Sequence, residues 1–222
     1  MDWTTPIDGY CERLDAGFWA EPVNALTNAA FLVAALVMAL RLRGQTQGSG
    51  LPLAWALVCL IAATGVGSFL FHTFAQPWAG LADTVPILLF ILTGLFAATR
   101  DFLGTSWKIA GLVTLGYFPF AAVTVPLFRL IPGLGDSAVY ATVPALMLIY
   151  AGLLWHRARP TARGLVLTAA LLTTSIAFRA LDAPLCGVFP LGTHFLWHLL
   201  NAAMLAAMVE VYRRHMVRAG SV

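Results

Sequence analysis

The chain has 222 residues, of which 60% are hydrophobic and only 10% are charged, and its mean hydropathy is +0.83. Soluble domains carry about 25% charged residues, so this composition excludes a soluble globular domain and predicts an integral membrane protein. The formal net charge is +3, and no run of basic residues indicates a nucleic-acid partner. The loops between the apolar stretches carry few charged residues, so no large soluble partner is expected. The N-terminus lacks a basic stretch followed by an apolar one, so no cleaved signal peptide is expected.

Seven apolar stretches are long enough to cross a bilayer as helices, which takes roughly 20 residues. The predicted spans are Pro22–Leu42, Leu51–His72, Leu81–Arg100, Trp107–Phe128, Ser137–His156, Arg163–Leu181 and Thr193–Tyr212. Because the connections are short, the predicted fold class is all-α, a multi-pass bundle of seven transmembrane helices in one domain over residues 1–222. A polar segment, 1–21, precedes the first span, and a basic tail, 213–222, follows the last.

The basic residues predict the orientation of the bundle, because cytoplasmic loops are enriched in Lys and Arg. Suppose the N-terminus is outside. Of the 13 basic residues, only Arg13, Arg129 and Arg179 then lie on the outer side, which leaves ten for the inner loops and the tail. The predicted topology therefore has the N-terminus outside and the C-terminus inside.

Five residues capable of chemistry lie inside or at the ends of these apolar stretches. Ser68 and His72 are one helical turn apart at the end of the second span, and Asp83 opens the third. His194 and His198 repeat the four-residue spacing at the start of the seventh span. Such residues are costly in a membrane and indicate a functional site. The predicted topology places all five in the extracytoplasmic third of the bilayer.

Three neutral imidazoles from two helices can form one face of a tetrahedral zinc site whose fourth position stays open for water. A haem usually takes ligands from opposed sides, so two histidines one turn apart fit zinc better. Zinc activates its water and polarises a carbonyl, Asp83 could transfer the proton, and Ser68 could stabilise an oxyanion. The pattern therefore predicts hydrolysis of an amide or ester at membrane depth.

Each of these residues also has a purely structural interpretation. His72 alone fits a hydrogen-bonded residue between helices, and Ser68 alone fits a bond to its own helix backbone. Asp83 precedes residues 84–86 (TVP), where a helix could start, so it could serve only as a helix cap. Trp197 suits an aromatic belt at the membrane interface or the lining of a lipid pocket. The structural interpretations must also explain why these groups share one depth.

The same segments carry a resemblance to a known family. Residues 67–72 (GSFLFH), 81–86 (LADTVP) and 194–198 (HFLWH) resemble the motifs of the alkaline ceramidase family, which belongs to the CREST superfamily of seven-helix membrane hydrolases. Residues 21–28 (EPVNALTN) are similar to that family's first-helix segment. The resemblance covers nearly the whole chain.

The resemblance implies a zinc ion held by His72, His194 and His198, with Asp83 as acid and base and Ser68 as oxyanion stabiliser. It implies a membrane lipid substrate, ceramide, whose amide is hydrolysed to a sphingoid base and a fatty acid. Two alternatives stay open. One is a hydrolase of another acyl lipid, amide or ester. The other is a seven-helix receptor or structural protein with a non-catalytic zinc site.

Family members also carry a calcium site before the first helix, built from an acidic Trp-Cys-Glu segment and a later glutamate. Residues 9–12 read GYCE here, and Glu12 and Glu21 match, whereas Gly9 and Leu14 stand where oxygen ligands are expected. The candidate calcium ligands are Asp8, Glu12, Asp15, Glu21 and Asn24. The alternative is a solvated acidic surface, with Glu21 favouring the N-terminus of the first helix.

The resemblance further pairs Cys11 with Cys186 in a disulfide. Both cysteines lie outside in the predicted topology, where disulfides persist, and the bond would tie the N-terminal segment over the site. Arg179 and Asp182, three residues apart near the same side, are expected to pair with each other.

Overall fold

The structure is a computed structural model that describes residues 2–45 and 50–219. It confirms the all-α fold class: within these two ranges there are seven helices long and apolar enough to cross a membrane, and no strand. The helices are α1 (Pro22–Leu42), α2 (Leu51–Phe74), α3 (Pro77–Phe102), α4 (Trp107–Arg129), α5 (Gly135–Leu154), α6 (Arg159–Leu185) and α7 (His194–Ala219).

Proline occupies the first turn of four helices, at Pro22, Pro52, Pro77 and Pro160. The first N–H groups of a helix have no partner within it, so proline's missing N–H costs nothing there. Pro77 starts α3 four residues before the predicted Leu81. The sequence prediction therefore placed the beginning of this helix too late, because it followed hydropathy rather than the proline.

Consecutive helices are neighbours around the bundle, and α1 closes it by packing against α7. The end of α2 also packs against α7, which brings two distant parts of the chain together. Four of the described helices depart from regular α geometry. The first is divided at Asn28, the fourth is divided at Gly116, and the third ends in a π-helical turn over Ala98–Phe102. The fifth, α5, begins with a 3-10 turn over Gly135–Ser137.

We call the end of the bundle formed by the N-terminal ends of α1, α3, α5 and α7 and the C-terminal ends of α2 and α6 the site end. The N-terminal segment lies against it, where the Ile7 N–H donates to the Ala75 carbonyl at 2.7 Å. At the other end, α7 continues to Ala219, so most of the predicted basic tail is helical. Residues 220–222 of that tail lie outside the described residues.

Candidate metal centre

Three histidines from two helices meet at the site end. His72 comes from the last turn of α2, and His194 and His198 are one turn apart at the start of α7. All three are at most 2% exposed, and each offers a nitrogen within 4.8 Å of the other two. Among the described residues, they form the one group of three or more potential ligand side chains close enough to hold a metal ion.

Each of the three rings has a buried nitrogen without a hydrogen-bond partner. These atoms are Nε2 of His72, Nδ1 of His194 and Nε2 of His198. A buried polar atom that lacks a partner costs about 1–3 kcal/mol, so three in contacting rings need an explanation. A metal ion bound by the imidazoles provides one, and the donor set suits it.

Hydrogen bonds on the other side of two rings decide which nitrogen is free. The carboxylate of Glu21 can only accept, so His72 donates to it through Nδ1 at 2.6 Å. The Thr27 hydroxyl donates to the Val23 carbonyl and therefore accepts from Nδ1 of His198 at 3.0 Å. In both rings Nε2 is left with a lone pair, the form that binds a metal.

The carboxylate of Asp182 fixes the start of α7. It accepts the N–H groups of Thr193 at 2.7 Å, of His194 at 2.9 Å and of Cys11 at 3.0 Å. It thereby joins the end of α6, the first ligand of α7 and the N-terminal segment. The expected pairing of Asp182 with Arg179 is wrong, since no ion pair joins these two described residues, and Asp182 is occupied by backbone donors.

Ser68 and Asp83 lie beside the histidines on facing turns of α2 and α3. Ser68 is 3% exposed, and its side chain lies close enough to interact with Asp83, whose charge also acts on His72. Asp83 is the seventh residue of α3, well past the first turn, so the interpretation as a helix cap is wrong. Gly67 allows the close approach of the helices, because a Cβ there would lie 2.5 Å from the Ala82 carbonyl carbon.

Two residues near the site, Tyr10 and Tyr140, were missed by the sequence reasoning, and Arg179 was predicted with a different partner. Tyr10 stacks on His194 with a ring separation of 3.7 Å, and its hydroxyl interacts with the Arg179 charge. The Arg179 guanidinium also donates to Ser137 at 2.7 Å and lies 5.2 Å from the Tyr140 ring centroid. Arginine within an apolar stretch was the available signal; nothing marked the two tyrosines.

Tyr10 lies outside the membrane-spanning segments, and its environment keeps it neutral. Burial raises the pKa of its hydroxyl above the ordinary value, and this effect outweighs the lowering by Arg179. The hydroxyl therefore remains protonated beside the three histidines.

An apolar cavity with a volume of about 90 Å³ extends from this region between α3, α5, α6 and α7. Trp197, which lies 5% exposed between the two α7 histidines, lines it together with Tyr140. The lining residues on α3 run from Ile87 to Ala98, about 16 Å at 1.5 Å per residue. The structure thus places Trp197 at the wall of an apolar cavity.

The five candidate calcium ligands are engaged separately. Both oxygens of Glu12 accept backbone N–H groups at the start of α1, from Val23 at 2.6 Å and Asn24 at 2.8 Å. Asp15 accepts the Gly17 N–H at 2.7 Å, and Asp8 is exposed. Among the described residues, no three of the four acidic side chains form a group that could hold a cation.

Glu21, the remaining carboxylate of the set, lies between the Arg13 guanidinium and the His72 imidazole rather than in an acidic cluster. It contacts Arg13 at 2.5 Å and His72 at 2.6 Å. Burial raises the pKa of this carboxyl, but the hydrogen bonds from His72 and Arg13 and the charge of Arg13 outweigh it, so the pKa lies below its ordinary value. Glu21 is therefore ionised and acts only as an acceptor. The residues present do not fit a calcium site.

The expected disulfide between Cys11 and Cys186 is present, with a Cα–Cα distance of 5.2 Å. It joins the N-terminal segment to the end of α6, next to the backbone held by Asp182. The remaining cysteine, Cys59, is free and exposed on α2.

Comparison with known proteins identifies a family. The family model described as Ceramidase matches residues 9–219, which include the three histidines, Ser68 and Asp83. No curated protein matches the chain significantly. Because the family model spans nearly the whole chain, from the N-terminal segment to the last helix, the chain belongs to the ceramidase family.

Proposed function

We propose that this chain is a zinc-dependent hydrolase that cleaves the amide of ceramide within the bilayer, releasing a sphingoid base and a fatty acid. The observation that carries the proposal is the group of three buried imidazole nitrogens without partners, beside the paired side chains of Ser68 and Asp83. The family match supports the reaction class.

Zinc is the metal that this donor set suits best, since imidazole is a preferred zinc ligand and three protein ligands leave a position open. His72, His194 and His198 would hold it. When bound, zinc supplies a Lewis acid for the amide carbonyl and lowers the pKa of water to about 7.

Asp83 is the group placed to move protons. Its carboxylate would accept a proton from the attacking water and then deliver it to the amide nitrogen as the carbon–nitrogen bond breaks. Ser68 would donate its hydroxyl hydrogen to the substrate carbonyl oxygen as that oxygen gains negative charge. The interaction between the Ser68 and Asp83 side chains would hold both groups in position before substrate binds.

The substrate would enter from the bilayer into the apolar cavity. The residues that line it are almost all apolar, which suits an acyl chain. Arg179, Tyr10 and Tyr140 would contact the polar part of the lipid at the site end. The excess of basic residues predicted for the opposite side supports an extracytoplasmic position for this site.

Metal analysis of detergent-purified protein tests the proposed centre. We expect about one zinc per wild-type chain, because three imidazoles and water complete a tetrahedral site, and substantial loss of zinc in His198→Ala. His156→Ala is the matched control, since His156 is exposed at the other end of the bundle and its removal should leave zinc unchanged. Equal zinc in His198→Ala and wild type would remove the metal centre from the proposal.

Hydrolysis of ceramide by the zinc-loaded protein tests the reaction. Asp83→Asn should retain zinc and lose activity by about 10²–10⁴-fold, the usual contribution of a general acid or base. Near-normal turnover would contradict the role of Asp83. Cleavage of other N-acyl or ester lipids but not ceramide would favour the broader acyl-lipid hydrolase. No cleavage of any of these by zinc-loaded wild type would favour a non-catalytic metal centre.

A further inference from the structure

The N-terminal segment holds a buried arginine surrounded by oxygen atoms. Arg13 is 7% exposed, and its Nε donates to the Glu21 carboxylate at 2.5 Å. One terminal nitrogen donates to the carbonyl oxygens of Asp15 at 3.2 Å and Gly17 at 3.5 Å, and the other to the His72 carbonyl at 3.2 Å. Four oxygens from three parts of the chain thus converge on one guanidinium.

A carboxylate together with backbone carbonyls is the kind of oxygen set that calcium prefers. Here the positive charge among these oxygens belongs to a side chain. A divalent cation at this position would have to displace a guanidinium that is buried and hydrogen-bonded on three sides. Like-charge repulsion and the loss of these bonds both oppose that exchange.

The contacts of Arg13 lead directly to a metal-binding histidine. The two oxygens of Glu21 are divided between Arg13 and His72, and the Asn24 amide donates to the oxygen on the His72 side at 3.2 Å. Arg13 also holds the carbonyl of His72, one of the last carbonyls of α2, which have no partner within the helix. It therefore restrains both the ring and the backbone of His72.

We propose that Arg13 is the resident cation of this segment, in the place where a calcium ion would otherwise stand, and that it positions His72 through Glu21. It is a positioning residue, since its contacts are with Glu21 and with backbone oxygens rather than with the Ser68–Asp83 pair. The inference concerns the same centre as the proposed function, and its effect on zinc rests on that proposal. The expectation that the protein binds no calcium does not rest on the proposed function.

The calcium consequence is tested on the wild-type protein. Equilibrium dialysis against radioactive calcium should show no bound ion at millimolar concentration, and the thermal midpoint should be the same with calcium and in calcium-free buffer. One calcium per chain, or a midpoint raised by calcium, would overturn the assignment of Arg13 as the resident cation. This result does not depend on whether the protein binds zinc or hydrolyses a lipid.

The positioning role is tested by the zinc dissociation constant, measured by competition with a chelator. Arg13→Gln removes the charge and should weaken zinc binding about 10–100-fold, as loss of partners of metal-bound histidines does. Arg13→Lys retains the charge and should recover part of that loss. Arg129→Gln is the matched control, because Arg129 is exposed at the end of α4. This variant should bind zinc as tightly as the wild type.

Wild-type zinc affinity in Arg13→Gln would refute the positioning role. A variant that fails to fold would leave the calcium measurements on the wild type as the deciding test of the resident cation. If the wild type itself bound no zinc, the proposed function would fail, and the calcium measurements would still separate that failure from this inference.

Discussion

Replacing Gly67 by alanine adds a single methyl group at the point where α2 and α3 are closest. The new Cβ would lie 2.5 Å from the carbonyl carbon of Ala82 and 3.0 Å from the backbone nitrogen of Asp83. Both neighbours are backbone atoms of a regular helix, so no side chain can rotate away. The two helices must move apart at this level.

The size of the movement follows from carbon–carbon contact distances, which are optimal at about 3.5–4.0 Å. Relief of a 2.5 Å contact therefore needs a separation of about 1 Å. Overpacking of this kind costs about 1–3 kcal/mol, partly offset by about 1 kcal/mol of gained helix propensity. Displacement of a catalytic pair by 1 Å can lower the rate about 100-fold, and Ser68 and Asp83 are adjacent to the contact.

The assay compares Gly67→Ala with Gly152→Ala in thermal unfolding and in ceramide hydrolysis, with zinc content measured alongside. Gly152 lies in α5 with no atom within 4 Å of an added Cβ, so its substitution carries the helix-propensity gain without the clash. We expect Gly67→Ala to retain zinc, to lose some stability and to lose most activity, while Gly152→Ala stays active. Wild-type activity in Gly67→Ala would refute the conclusion that this contact sets the spacing of Ser68 and Asp83.

Two further perturbations concern the connections that hold the start of α7. Asp182→Asn replaces one carboxylate oxygen by an amide group, so one of the three N–H donors loses its acceptor. A hydrogen bond to a charged group contributes about 1.5–3 kcal/mol. The midpoint temperature of thermal unfolding should therefore fall by several degrees, and zinc binding at His194 should weaken. An unchanged midpoint would contradict this expectation. Denatured, unreduced protein should show one free thiol, Cys59, and three free thiols would exclude the Cys11–Cys186 bond. Cys11→Ser should lower the free energy of unfolding by about 2–4 kcal/mol, measured by the same unfolding assay.

The helices of this protein follow from its sequence because the membrane leaves few choices. Without water to satisfy backbone N–H and C=O groups, an apolar stretch of sufficient length must form a helix. All seven spans were predicted, and the ends of the helices were the main error. The four-residue shift at Pro77 had a chemical consequence, since it moved Asp83 from a capping position into the helix beside Ser68.

The three histidines of the candidate metal centre could also be identified from the sequence, because a four-residue repeat places His194 and His198 on one face. The groups that orient them could not. Glu21 is 51 residues from His72, and Thr27 is 171 residues from His198. No local pattern connects residues so far apart; their contact depends on how α1 and α2 are rotated against α7.

Arg13 is the clearest example of a contact that the sequence did not predict and the tertiary structure decided. The sequence of the N-terminal segment indicated acidic residues near a metal site and suggested calcium among them. Only the folded chain shows a guanidinium at that position, bonded to Glu21 and to three backbone carbonyls. Composition and helix periodicity thus determined the seven spans and the three histidines, because both follow from local chemistry. The packing of distant segments decided which charge neutralises Glu21, because that depends on contacts made only after the helices assemble.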